Sequence, residues 1–317
     1  MSGTLLRLAF GLCVGGAVAG AVGWYTGVNV HKTLEYASGV PLYAILLCCS
    51  SAFVMLALQA WRWHSVMGPL LGLRYRDAYK AQIVGVMFNA ILPARGGDLL
   101  RVQYLGRRTG KSRATILGTE IADRWLDWGG WIPTFLVLLV VSHPPKWLFI
   151  ALGAFGALLA AMAAVMVTLL RTGWTPKESS RFHSVYLALR QGFAVFRQPR
   201  TWLIAFLIAP LPWLWESCAI AWAAEAFGIH ITLVQAFSTM MGFNVAMAVP
   251  SPGGMGTIES GGQAALVWFG QDPSRAMAFI FVYHLTQLLP GIAGGAAVLV
   301  AEGEKLFGAA SEVPQID

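Results

Sequence analysis

Apolar runs of about 20 residues recur along this chain from end to end, and nothing else in the sequence constrains it as much. A backbone in hydrocarbon must satisfy its own hydrogen bonds, so it crosses only as helices or as a closed barrel. Runs of this length predict helices. Composition agrees: the chain is 57% hydrophobic and 12% charged, against about 25% charged in soluble domains. The polar connections are too short for a soluble domain, so residues 1–317 read as a single integral membrane domain. The net charge of +7 is then the mark of cytoplasmic loops rather than of a nucleic-acid partner. Cys13, Cys48, Cys49 and Cys218 all lie in apolar segments without metal-ligand spacing and read as small buried hydrophobes.

The predicted fold class is an all-α polytopic membrane protein. About six full spans are expected, near 5–26, 41–63, 113–141, 146–170, 200–227 and 274–301. The first contains Ala17-Val18-Ala19, which resembles a signal-peptidase site. The apolar run continues past it, so an uncleaved first span is the simpler reading. Two further regions, 77–110 and 233–270, are each interrupted by a Pro/Gly break, and their half-segments are short for a span. Such pieces fit re-entrant hairpins, whose irregular backbone is tolerated only inside protein or beside a water-filled cavity. With the N-terminus cytoplasmic, most Lys and Arg residues fall on the inner side, among them Arg62, Arg74, Arg76, Lys80, Arg101, Arg107 and Arg108. The outer side receives Lys32, Lys146 and Arg275. This predicts a cytoplasmic C-terminus as well, and a bacterial inner-membrane location. Residues 178–198 read as an amphipathic connecting helix on the inner leaflet, or as a helix packed on the protein.

The two breaks look related. Phe88-Asn89, Pro93 and Gly96-Gly97 align with Phe243-Asn244, Pro250 and Gly253-Gly254, and Ser112-Arg113-Ala114 aligns with Ser274-Arg275-Ala276. Residues 41–141 and 200–301 are therefore predicted to be two repeat halves, each span, broken hairpin, span. An odd number of crossings between them makes the repeat inverted, a plan that recurs in transporters. Proline stops the incoming half-helix, and glycine permits the tight turn. The outgoing half-helices, beginning near Gly96 and Gly253, are expected to present free amides and a positive dipole end to an anion such as a phosphate headgroup, with Arg95 beside the first. Ser251 lies at the second tip. The alternative is a pair of helix kinks without a ligand.

Ionisable residues inside apolar segments are costly and usually face a cavity or one another. The segment 113–141 carries Glu120, Asp123, Arg124 and Asp127 at helical spacing. Arg124 is expected to pair with Glu120 and with a first-hairpin residue such as Asp98. The meeting place of the hairpins is expected to be locally positive. Glu216, Glu259 and His284 are further candidates. These groups read either as a structural ion network or as headgroup-binding and proton-coupling sites. No catalytic constellation, nucleotide-binding loop, metal-ligand set or cofactor motif is found in the sequence.

These motifs resemble the family named after the transmembrane region of lysylphosphatidylglycerol synthase, also called the flippase-like family. The resemblance rests on Asn89, Leu92-Pro93-Ala94-Arg95-Gly96-Gly97-Asp98 and Arg101, on Asp123-Arg124-Trp125-Leu126-Asp127, and on Pro250-Ser251-Pro252-Gly253-Gly254-Met255-Gly256 with Glu259. It covers about residues 5 to 301. Asp98 and Asp123 stand where Glu is usual, and His284 where Arg is expected. The resemblance implies a stand-alone lipid translocator, without a soluble aminoacyl-transfer domain and without enzymatic activity. Its substrate would be a lipid with a polar, anionic headgroup: an aminoacyl-phospholipid, a hopanoid or a polyprenyl-linked lipid. A homodimer or a lipid-pathway enzyme partner is compatible with this. The alternative functions are a membrane enzyme or an accessory subunit acting on a lipid-linked substrate.

Overall fold

A computed structural model describes residues 2–92, 96–133, 136, 146–171, 183, 186, 187, 190, 191, 198–247, 249 and 251–303. Regular structure among them is helical throughout. In chain order the helices are α1 (Ser2–Thr26), α2 (Val30–Ser38), α3 (Leu42–Leu71), α4 (Tyr75–Ile91), α5 (Gly96–Thr109) and α6 (Arg113–Gly129). They continue with α7 (Lys146–Arg171), α8 (Pro199–Ile208), α9 (Leu211–Glu225), α10 (Leu233–Ala246), α11 (Thr257–Trp268) and α12 (Pro273–Ala301). A single 3-10 turn, Pro252–Gly254, separates α10 from α11.

Among the described residues, four stretches are long and apolar enough to cross a membrane: Ala9–Thr26, Leu42–Leu71, Pro199–Glu225 and Pro273–Ala301. Four of the six expected spans coincide with these, and the other two fall on α6 and α7. The segment at 113–141 carries too much charge in α6, and its later part lies mostly outside the described residues. The segment at 146–170 is α7, whose 26 residues give a rise of about 39 Å. The span expected at 200–227 is two helices, because Pro210 brings no N–H and the chain turns at Ala209-Pro210. The span expected at 41–63 runs on to Leu71, where Gly72 at φ 68° closes it with a bond to the Gly68 carbonyl. That extension places Arg62 in the interior of α3 rather than at the end of a span. The connecting helix expected at 178–198 lies mostly outside the described residues; within it Tyr186 is buried and Gln191 accepts a bond from Thr115 at the start of α6 (2.7 Å).

The same packing order recurs in the two halves. In the first, α3 packs on α4, α4 on α5 and α5 on α6; in the second, α9 packs on α10, α10 on α11 and α11 on α12. Each set encloses its own core. One is built on Trp63, Met67, Val84, Tyr104 and Leu105, the other on Phe237, Met240, Leu266, Phe279 and Ile280. Between the sets the packing is unequal. α12 lies along α3 and α4, whereas α6 and α10 make no comparable contact. α1 lies outside both sets and packs on α11 and the 3-10 turn.

One polar clamp ties the end of α12 to the first hairpin. Glu302 accepts from Lys80 on α4, and from the Tyr104 hydroxyl (2.5 Å) and Arg108 Nη1 (2.6 Å) on α5. Burial alone raises the Glu302 carboxyl, but the bonds from Lys80 and Tyr104 and the charges of Arg108 and Lys80 outweigh it and hold the carboxyl below its ordinary value.

Candidate functional site

The charged face of α6 does not point to lipid. Asp123 and Asp127 turn toward α3, where Arg62 is 1% exposed. Arg62 Nε donates to Asp123 Oδ1 (2.8 Å), Nη2 to Asp123 Oδ2 (3.2 Å), and Nη1 to Asp127 Oδ1. Glu120, one turn earlier, accepts from Arg101 Nη2 and from Arg124 Nε (3.1 Å). Arg124 also donates to Asp127 Oδ2 (3.2 Å) and to Asp98 Oδ1 (3.0 Å). Asp98 receives a further bond from Asn89 Nδ2 (2.9 Å), which closes the network onto the end of α4. Spacings of three and four residues bring Glu120, Asp123, Arg124 and Asp127 together along α6. Gly85 and Gly97 permit the hairpin to close around the network. A β-carbon on Gly85 would stand 2.9 Å from Arg101 Cδ, and one on Gly97 would stand 2.1 Å from the Gly85 carbonyl oxygen.

Arg101 is 1% exposed; its other nitrogen donates to Gln82 Oε1 and its guanidinium lies 4.6 Å from the Trp63 ring centroid. Three guanidiniums thus face four carboxylates among the described residues. A network so nearly balanced avoids the large cost of an isolated buried ion. Each of these arginines is already paired, and Arg95, the other cation expected at the meeting place, lies outside the described residues. Arg124, with its side chain 22% exposed, is the most accessible of the three.

The second break is organised by backbone. Gly253, Gly254 and Gly256 have φ values of 59°, 76° and 82°, which favour glycine. His284 on α12 lies between two acceptors: its Nδ1 is 2.8 Å from Glu259 Oε1 and its Nε2 is 2.9 Å from the Gly253 carbonyl. The outgoing helix does not begin near Gly253, as expected, but at Thr257, beyond the 3-10 turn. Its first amide is not free either, because Gly256 N donates to Glu259 Oε2 (2.7 Å). The two breaks are therefore followed by different helix starts, Gly96 at the first and Thr257 at the second. α1 closes over this one, with the Gly256 β-carbon position 2.1 Å from the Gly15 carbonyl oxygen.

Both breaks face one cavity of about 490 Å³. Asn89, Asp98, Arg101, Arg124 and Asp127 line it from the first half, and Ser251, Gly253 and Gly254 from the second. Leu288 and the α9 residue Trp213 complete part of the wall, and the Trp213 indole donates to the Asp127 carbonyl (2.7 Å). Asn89 Oδ1 is buried without a hydrogen-bond partner. Glu120 stands behind the wall and holds its arginines, Arg101 and Arg124, while Asp123 holds Arg62, which does not line the cavity.

Other sequence candidates lie elsewhere. Asn244 turns back on its own helix, Nδ2 to the Met240 carbonyl (2.9 Å), and Gly96 and Gly97 serve the packing of α4 against α5. Glu216 and Glu259–His284 do not line the cavity. Arg95, Pro93, Ala94 and Pro250 lie outside the described residues. Arg62, Gln59 and Gln82 were not singled out from the sequence. Arg62 had a signal, a single charge between Trp61 and Trp63 with an apolar run continuing to Leu71.

Comparison with known proteins gives two findings. A "UPF0104 membrane protein" of Methanothermobacter thermautotrophicus is 24% identical over 276 residues, covering 77% of this chain and 81% of that protein. The family described as the lysylphosphatidylglycerol synthase TM region matches residues 6–295, almost the whole of the helical architecture above. An all-helical membrane protein with this match from its first helix to its last belongs to the lysylphosphatidylglycerol synthase TM region family, which gives it a lipid-related role in the membrane.

Proposed function

We propose that this protein is a lipid flippase whose cavity takes the polar headgroup while the lipid tails stay in the bilayer. The carrying observation is that both chain breaks face one cavity, walled by paired ions. The ion pairs supply alternatives that a headgroup can exchange with. A lipid phosphate takes the place of Asp98 on Arg124. Anionic lipids of the aminoacyl-phospholipid, hopanoid or polyprenyl-linked kinds all fit this chemistry. Each cavity carboxylate already carries a guanidinium, which favours transport over general-base catalysis.

The mechanism proposed is alternating access by an inverted repeat with two re-entrant hairpins. Closure of α12 on α4 while α6 and α10 stand apart supports it, because a pair of related interfaces differs in packing. Exchange of the two interfaces would turn the cavity to the other leaflet. The positive-inside bias supports cytoplasmic termini in a bacterial inner membrane. A second copy or a lipid-pathway enzyme would sit outside the cavity.

The test is reconstitution into liposomes with a panel of lipids differing in headgroup, followed by leaflet exchange. Asp98→Asn removes one of three carboxylates from Arg124 without changing side-chain size. Loss of such a partly exposed pair is worth roughly 1 kcal/mol, about a fivefold effect. Exchange of phosphate-bearing lipids should change by about that factor at matched protein levels. Equal rates across the panel for wild type and Asp98→Asn would remove the headgroup site.

A further inference from the structure

Glu216 stands apart from every other buried carboxylate in the described structure. Asp77, Glu120, Asp123 and Asp127 each pair with arginine, and Glu259 meets His284 and the Gly256 amide. Glu216 is 9% exposed and its hydrogen-bond partner is a neutral hydroxyl, Tyr283 Oη donating to Oε1 at 2.9 Å. Its second oxygen, Oε2, is buried with no partner. The titratable groups facing it are Cys48 on α3 and Tyr283 on α12, and neither is a cation. α10, packed on the same helix, carries no titratable residue between Leu233 and Ala246.

The site is also a crossing point. Tyr283 links α12 to α9 through Glu216; Trp215 Nε1 links α9 to α3 through Ser51 Oγ (3.1 Å); Gln287 Nε2 links α12 to α3 through the Cys48 carbonyl (3.3 Å). α3 belongs to the first half, α9 and α12 to the second, so three polar contacts surround a lone carboxyl at their seam. An ionised carboxylate here has neither a counter-ion nor a hydration shell, and that costs far more than the hydrogen bond a neutral acid leaves unmade. Trp213, on the cavity wall, is three residues earlier on α9, about 4.5 Å of helix rise.

We propose that Glu216 is a proton-binding site at the seam between the halves, occupied by a proton in this packing and released when α3 parts from α9 and α12 and water reaches the carboxyl. The bound species is a proton on Glu216 Oε2, taken from and returned to water. The proton site stands on the geometry alone; its coupling to movement rests on the transport reading.

Infrared spectroscopy of the protein in lipid nanodiscs at neutral pH tests the site. Wild type should show a carboxylic-acid C=O band sensitive to deuterium exchange. Glu216→Gln should remove it, Tyr283→Phe should shift it by deleting the Oε1 hydrogen bond, and Asp98→Asn should leave it in place. If Glu216→Gln does not fold, Glu216→Asp should move the band in its stead. A spectrum unchanged by substitution at both Glu216 and Tyr283 overturns the proposal. Coupling is read in liposomes under an imposed pH gradient, where one unit displaces a leaflet distribution about tenfold per coupled proton. Wild type should respond and Glu216→Gln should not; a response retained in Glu216→Gln overturns the coupling. No lipid exchange by wild type, with the band present, defeats the transport reading and supports a proton site that serves another movement.

Discussion

The two broken hairpins share a packing order and are held together by different physics. The first, α4–α5 against α6, is closed by charge: Arg62, Arg101 and Arg124 bind four carboxylates across α3, α5 and α6. The second, α10–α11 against α12, is closed by backbone approach, through Gly242–Gly261 and Gly15–Gly256, with the His284–Glu259 pair at its tip. Ion networks tolerate exchange of partners, because a guanidinium can trade one carboxylate for another or for a phosphate. Glycine contacts do not, because there is no side chain to rearrange. On the proposed reading, the first half receives the headgroup and the second presents a rigid wall to it.

The sharpest way to break this contrast is Arg62→Met. It leaves Asp123 and Asp127 buried with less counter-charge, and loss of one partner of a buried pair costs roughly 3–5 kcal/mol. Folded yield and melting temperature in detergent should fall steeply. The double variant Arg62→Met, Asp123→Asn should recover part of the loss, and a single variant as stable as wild type would show that the first half is not held by charge.

Gly256→Ala probes the other half. The new methyl would meet the Gly15 carbonyl oxygen at 2.1 Å on a residue at φ 82°, a combination of overpacking and backbone strain worth roughly 1–3 kcal/mol. Thermal unfolding should register it. Gly16→Ala, with open space around it, is the matched control and should be silent.

His284→Gln is smaller. It removes the link between Glu259 and the Gly253 carbonyl, about 1–2 kcal/mol for two bonds of which one is charge-assisted. Hydrogen exchange at residues 253–260 should quicken, while the amides of α4 and α5 stay as they were. Quickening in both hairpins alike would mean that the two breaks form one cooperative unit.

The smallest effect is expected at the Glu302 clamp and is read against pH. A carboxyl held below its ordinary value contributes stability above the unfolded pKa and loses it as pH falls through the folded one. Wild type should therefore lose stability on acidification below 4.5, the ordinary value for this group, while Glu302→Gln starts lower and shows a flatter acid limb. Parallel pH–melting curves for the two proteins would show that the clamp carries no linked proton.

Much of this was legible in the residues. The apolar runs reveal a helical membrane protein, and Pro and Gly mark the two breaks because their backbone chemistry is local. The spacing of Glu120, Asp123, Arg124 and Asp127 places them together because a helix repeats every 3.6 residues. Arg62 was less legible. Its charge looked like the end of a span, and only the continuation of α3 to Leu71 put it in the interior. One of the free amides expected at the second break is taken for a related reason: Glu259 lies three residues after Gly256 and reaches back to its N–H.

Local rules of this kind are what the sequence determined by itself: which segments are helical, where they break, and which side chains share a helix face. Tertiary structure decided the rest. It chose Arg62 as the partner of Asp123, closed α12 on α4 rather than α6 on α10, and left Glu216 without a cation at the seam. The physical reason is that partners 61 to 67 residues apart, as in Arg62–Asp123 and Tyr283–Glu216, meet only once whole helices have packed. Periodicity within one helix carries no record of which neighbour its charged face will meet.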